Sequence, residues 1–125
     1  MKKEEIKKLK GKDRAKALCD IATTLLDGEK AEDVVVIDLE DKTDIAYFMV
    51  VASGFVARHT KALGEKLAYE YKHHGVPVQV EGFEVGEWIL VDAGEVMVHI
   101  FQPEVRARYS IEQLWEPGVR KQNNE

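Results

Sequence analysis

A chain of 125 residues with 45% apolar and 33% charged content has room for one domain and one core, and little for a second. Its net charge of −5 argues against broad affinity for nucleic-acid phosphates. Cys19 stands alone, which excludes a disulfide framework and fits a reducing cytoplasm. No apolar run approaches the roughly 20 residues needed to cross a bilayer, and no apolar core follows the basic N-terminus as an export signal requires.

In chain order, residues 2–16 hold eight Lys or Arg against three acids. Residues 1–12 read as a basic extension, a solvated and partly frayed helix start. Leu18, Ile21, Ala22, Leu25 and Leu26 recur at helical spacing, so a helix is expected from Asp13 to about Asp27, closed by Gly28. Cys19 lies among these apolar residues and reads as core. Val34–Leu39 is a β-branched run, followed by an acidic turn and a second strand over Ile45–Ser53. So short a link implies an antiparallel pair.

A second long helix is expected from about Arg58 to Lys72, ended by Gly75 and Pro77. Val78–Val80 makes a third strand, and the intervening helix implies that it lies parallel to, and pairs with, the second. Trp88–Asp92 and Val96–Phe101 form a hairpin, and short helical turns follow from Pro103 and over Ile111–Trp115. The folded domain is therefore placed at 13–116, with 117–125 as a flexible polar tail. The order α-β-β-α-β-β-β-α gives an α/β fold with a mixed five-stranded sheet flanked by helices.

The hairpin carries most of the information. Between Lys72 and Arg106 there is no Lys or Arg, while Glu81, Glu84, Glu87, Asp92, Glu95 and Glu104 all fall inside. A segment of one charge sign, with large side chains, suits a basic partner. Alternation puts Ile89, Val91, Val96, Val98 and Ile100 on an aliphatic face, and Trp88, Leu90, Asp92, Met97, His99 and Phe101 on a mixed one. With Ala93-Gly94 as a two-residue turn, Trp88 would pair with His99 and Leu90 with Met97. The mixed face is either covered by the C-terminal segment or partly open to a partner, and Trp is a favoured binding anchor.

Nothing in the chain is ordered as catalytic machinery. His59, His73, His74 and His99 have no metal-site spacing, so no metal and no cofactor are expected. Ser53-Gly54 is a weak anion signal without a Gly-rich loop, and Asp38, Glu40, Asp41 and Asp44 read as a solvated turn rather than magnesium ligands. On its own chemistry the chain is a binder, not an enzyme.

Several separated motifs then coincide: VVVIDL with FMVVASG, Arg58-His59 opening a helix, EG…WILVD, GEVMVHIF, and Arg106, Tyr109, Glu112, Leu114 and Trp115 as R-x-x-Y-x-x-E-x-L-W. In their order and spacing these resemble the ribosomal silencing factor (Iojap-related) family over about Ala15–Trp115. The resemblance implies a nucleotidyltransferase-like fold without that activity, cytoplasmic and homodimeric when free. It implies binding to the large ribosomal subunit through its protein fourteen, blocking of small-subunit joining, repression of translation when nutrients are short, and a role in late large-subunit assembly. Trp88 matches the family's Trp at the ribosomal-protein contact, and Glu81, Gly82, Asp92, His99, Arg106 and Tyr109 match other motif positions assigned to that site. Phe55, Arg58 and His59 fall where dimerisation or packing is expected. The chain departs from the family at Tyr47, usually Asp, and at Phe55-Val56, usually small hydroxyl residues.

The expectation is thus a steric factor with no membrane association and no sequence-specific contact to nucleic acid. Two other readings stand beside it. One is a nucleotide-dependent enzyme or sensor using Ser53-Gly54. The other is an RNA-binding assembly factor led by the basic N-terminus, whose binding would depend strongly on salt.

Overall fold

The computed structural model describes residues 3–115 and 119–121. Helix α1 (Lys3–Lys8) and α2 (Gly11–Gly28) precede strands β1 (Glu32–Asp38) and β2 (Phe48–Ser53). Then come α3 (Ala57–His73), β3 (Gln79–Glu81), β4 (Trp88–Asp92), β5 (Val96–Phe101), α4 (Pro103–Tyr109), a 3₁₀ turn (Ile111–Trp115) and β6 (Val119–Lys121). The five expected strands form a mixed sheet against helices, and the expected order of elements is present. To it are added α1 and a sixth strand.

The sheet runs β3-β4-β5-β2-β1-β6. β1 and β2 pair antiparallel, as their short link requires, while β2 takes β5 as its parallel neighbour. The expected β2–β3 pairing is therefore corrected. β3 runs in the same direction but lies at the edge, against β4. The reason is burial. β2 and β5 are apolar on both faces and take the centre, whereas Gln79, Val80 and Glu81 are all exposed.

The hairpin register is corrected as well. Trp88 stands opposite Phe101, Leu90 opposite His99 and Asp92 opposite Met97. The two-residue turn is Gly94-Glu95 rather than Ala93-Gly94, closed by Ala93 donating to the Val96 carbonyl at 3.0 Å. Because the slip is by two residues, each side chain keeps the face that alternation gave it.

At both ends of the chain more is ordered than expected. Ile6 is fully buried in the core, so the described part of the extension, residues 3–12, does more than fray, and Arg14 donates to the Ile6 carbonyl at 3.2 Å. From the expected tail, Val119–Lys121 pairs antiparallel with the β1 edge. The other residues of 117–125 lie outside the described residues, as do the side chains of Leu114 and Trp115.

Two apolar clusters flank the sheet. The larger one packs α2 and α3 on the aliphatic face, with Leu18, Leu26, Leu63, Leu67, Ile89, Val98 and Ile100 at its centre. Tyr71 closes it by donating its hydroxyl to the Leu18 carbonyl at 2.7 Å. Cys19 is buried here, and burial pushes its thiol up to about 12, so it packs as a small apolar residue. The smaller cluster sits on the other face, where Val105 and Ile111 cover Val35, Ile37, Met49, Val51 and Phe101. α3 ends in a left-handed Gly75, with Val76 donating back to Tyr71 at 2.9 Å.

Candidate functional site

The C-terminal segment covers the mixed face over β1 and β2 and meets β4 at its first residue, where Tyr109 lies against Trp88. Trp88 and Leu90 are left half-buried, beside exposed Glu81 and half-buried Asp92. The Trp88 ring lies 4.8 Å from Phe101, 5.0 Å from Tyr109 and 5.9 Å from His99, centroid to centroid. Its Nε1–H donates to His99 Nδ1 at 2.9 Å. Neutral His99 therefore carries its proton on Nε2, a buried atom with no hydrogen-bond partner among the described residues. Burial lowers its pKa to about 4, and the charge of Asp92 opposes that shift without overcoming it. An uncharged imidazole thus fixes the plane of the indole.

Gly82 packs closely against the backbone of Trp88. Its φ is +82°, and a β-carbon there would lie well inside contact distance of the Trp88 carbonyl oxygen. It shapes the loop and offers no side chain to a partner. Asp92 is likewise turned to local work, its Oδ1 accepting from the Gly94 amide at 2.9 Å. Tyr109 is half-exposed at the rim, and Glu81 projects from the edge strand.

Arg106, expected with these residues, is instead buried beneath them. Its Nη1 donates to Ser53 Oγ at 2.9 Å, and its Nε and Nη2 donate to Glu112 Oε2 at 3.1 and 2.8 Å. It bolts α4 and the 3₁₀ turn to the end of β2. The same bond commits the Ser53 hydroxyl internally, and Gly54 is closed in by Thr60. His59 is internal too. Its Nδ1 accepts from the Phe55 amide at 3.0 Å, so Nε2 donates to the Glu29 carbonyl at 2.9 Å, tying the start of α3 to the end of α2. Phe55 stacks on this ring at 5.2 Å and is otherwise exposed, and Arg58 is exposed beside it.

At the far end of the sheet, a concavity of about 820 Å³ is lined by acids that include Glu40, Asp41, Asp44 and Glu95. Tyr47 lies here, partly buried against the main core. Asp38 caps this turn by accepting from the Glu40 amide at 2.9 Å, and Lys12 pairs with both Asp38 and Glu40. Among the described residues no three His, Cys, Asp or Glu side chains are placed to share a metal ion. No described helix is long and apolar enough to cross a membrane.

Sequence reasoning missed the Ser53–Arg106–Glu112 cluster, in which Ser53 and Arg106 lie 53 residues apart. It also missed Phe101 as the floor under Trp88, because that contact depends on the register.

The family model described as "Ribosomal silencing factor during starvation" matches residues 12–125. A protein of Zymomonas mobilis named ribosomal silencing factor RsfS is 38% identical over 99 residues, covering 78% of this chain and 74% of its own. A mouse protein named mitochondrial assembly of ribosomal large subunit protein 1 is 34% identical over 105 residues, covering 81% of this chain and 46% of its own. A crystal structure of a Chromobacterium violaceum protein superposes with a TM-score of 0.78 at 39% identity, over 80% of this chain and 84% of that one.

Proposed function

This chain belongs to the ribosomal silencing factor family, and we propose that it binds a basic protein of the large ribosomal subunit, protein fourteen, through the acidic face around Trp88. Bound there, the body of the domain fills space the small subunit needs, and translation is repressed by exclusion. The observation that carries this is Trp88 itself: a half-buried indole locked by His99 and supported by Phe101 and Tyr109, in a segment without a Lys or Arg from 73 to 105. Pre-set aromatic anchors supply affinity at low entropic cost, and charge complementarity supplies rate and register.

The action is steric rather than catalytic and needs no cofactor. In support, the Ser53 hydroxyl that a nucleotide reading would use is held by Arg106. The setting is cytoplasmic, the free form is a homodimer, and the same docking serves late assembly of the large subunit. Trp88→Glu tests the contact. It should keep a cooperative melting transition, lowered by the lost packing and His99 bond, and lose co-pelleting with purified large subunits; normal co-pelleting would refute the assignment.

A further inference from the structure

Exposed apolar side chains are not spread evenly over this surface. Eight large ones stand exposed among the described residues, and five of them, Phe55, Val56, Phe83, Val85 and Tyr109, gather at one end of the sheet. That end is where β2 and β5 finish together, Ser53 opposite Phe101, and where β4 begins with Trp88. The loops are knit to one another by backbone bonds. Gly54 donates to the Phe101 carbonyl at 2.8 Å, and Gln102 donates to the Glu87 carbonyl at 2.9 Å. The Gly86 carbonyl accepts from the Thr60 hydroxyl and from Gln102 Nε2, which holds the 82–86 loop against the first turn of α3. Gly86 has φ +80°, and a β-carbon there would press on Ala57 and Lys61, so the loop is seated as closely as its backbone allows. Lys61 lies 6.0 Å over the Phe83 ring. Isolated exposed apolar residues are ordinary, but a gathered patch with a polar rim marks an interface.

We infer that this loop end, Phe55 and Val56 beside Phe83 and Val85, is the apolar centre of the docking surface, continuous with Trp88 and Tyr109 around the corner of the sheet. The inference rests on the docking reading above and extends it to residues that reading does not use. Its occupant is the same basic protein surface, with an apolar centre of its own. Charge supports that choice. The Phe83–Val85 loop is bounded by exposed Glu81, Glu84 and Glu87, which attract Lys and Arg and repel nucleic-acid phosphates.

The test is a pelleting titration of purified large subunits with four full-length variants. They are Phe83→Asp with Val85→Asp, Phe55→Asp with Val56→Asp, Trp88→Glu, and Ile45→Asp. The last is an exposed apolar residue at the opposite end and serves as the control. Because Phe83, Val85, Phe55, Val56 and Ile45 stand in solvent, the two loop variants and Ile45→Asp should melt with the wild type. Both loop variants should bind at least about tenfold more weakly, with Ile45→Asp unchanged. Loop variants within about twofold of the wild type, with Trp88→Glu impaired, would overturn the inference and leave the docking reading intact. Normal binding by all four would sink the docking reading itself. Loop variants that alter the sedimentation coefficient of the free protein but bind normally would overturn the inference by reassigning the patch to self-association.

Discussion

Protonating His99 is the sharpest perturbation available to this fold. The ring is 5% exposed, its Nδ1 is taken by the Trp88 indole, and its pKa stands at about 4 against 6.5 for a free imidazole. The unfolded chain takes up a proton near 6.5, while the folded chain resists it until about 4. The folded-state pKa is depressed, so His99 removes stability progressively as pH falls through that window and nothing further below it. The difference corresponds to about 3 kcal/mol. Below the window the charged ring would also donate from both nitrogens and lose its bond to the indole.

Urea unfolding from neutrality to about pH 4 reads this loss, although carboxylates elsewhere also contribute. The discriminating comparison is His99→Gln, whose side-chain oxygen can still accept from Trp88 but does not titrate. The variant should have a pH profile flatter by about 3 kcal/mol across the window. The wild-type indole N–H resonance of Trp88 should move with a midpoint near 4. Parallel profiles for the two proteins would refute the buried, neutral imidazole on which the geometry of the site depends.

Other outcomes follow from the supports of the site. Gly82→Ala forces a β-carbon onto the Trp88 carbonyl at positive φ and should cost about 2 kcal/mol or more, read as a lowered melting temperature, whereas Gly94→Ala, with open space around it, should cost less. Arg106→Met strands the Glu112 carboxylate, which is one-fifth exposed, and should cost on the order of 2–4 kcal/mol in urea unfolding. Adding Glu112→Gln should recover part of that. Calorimetry with nucleoside triphosphates and magnesium should show no saturable heat, and tight binding would argue for the nucleotide reading instead.

Much of this was legible because it is written in periodicities. The apolar spacing of Leu18, Ala22 and Leu26 fixes α2, and alternation fixes the faces of β4 and β5 even though the pairing slips by two residues. What was not legible depends on distant partners. Ile6 is one apolar residue among lysines, too little to signal a buried helix, yet it completes the core. Val119–Lys121 is short, with two of its three residues basic, and becomes a strand through the edge of β1. The place of β3 followed from its exposure rather than from the length of its crossover. At the site, Trp88 and His99 could be put on one face from sequence, but their hydrogen bond and the inward turn of Arg106 required the fold.

Under the proposed function, this domain keeps ribosomal subunits apart by occupying the large one through Trp88. Sucrose-gradient sedimentation of purified small and large subunits, with and without the protein, tests it directly. The wild type should shift joined ribosomes into separate subunits and sediment with the large one, and Trp88→Glu should leave joining untouched and stay at the top of the gradient. Joined ribosomes that persist at saturating wild-type protein, or a Trp88→Glu variant that separates subunits as well as the wild type, would contradict it.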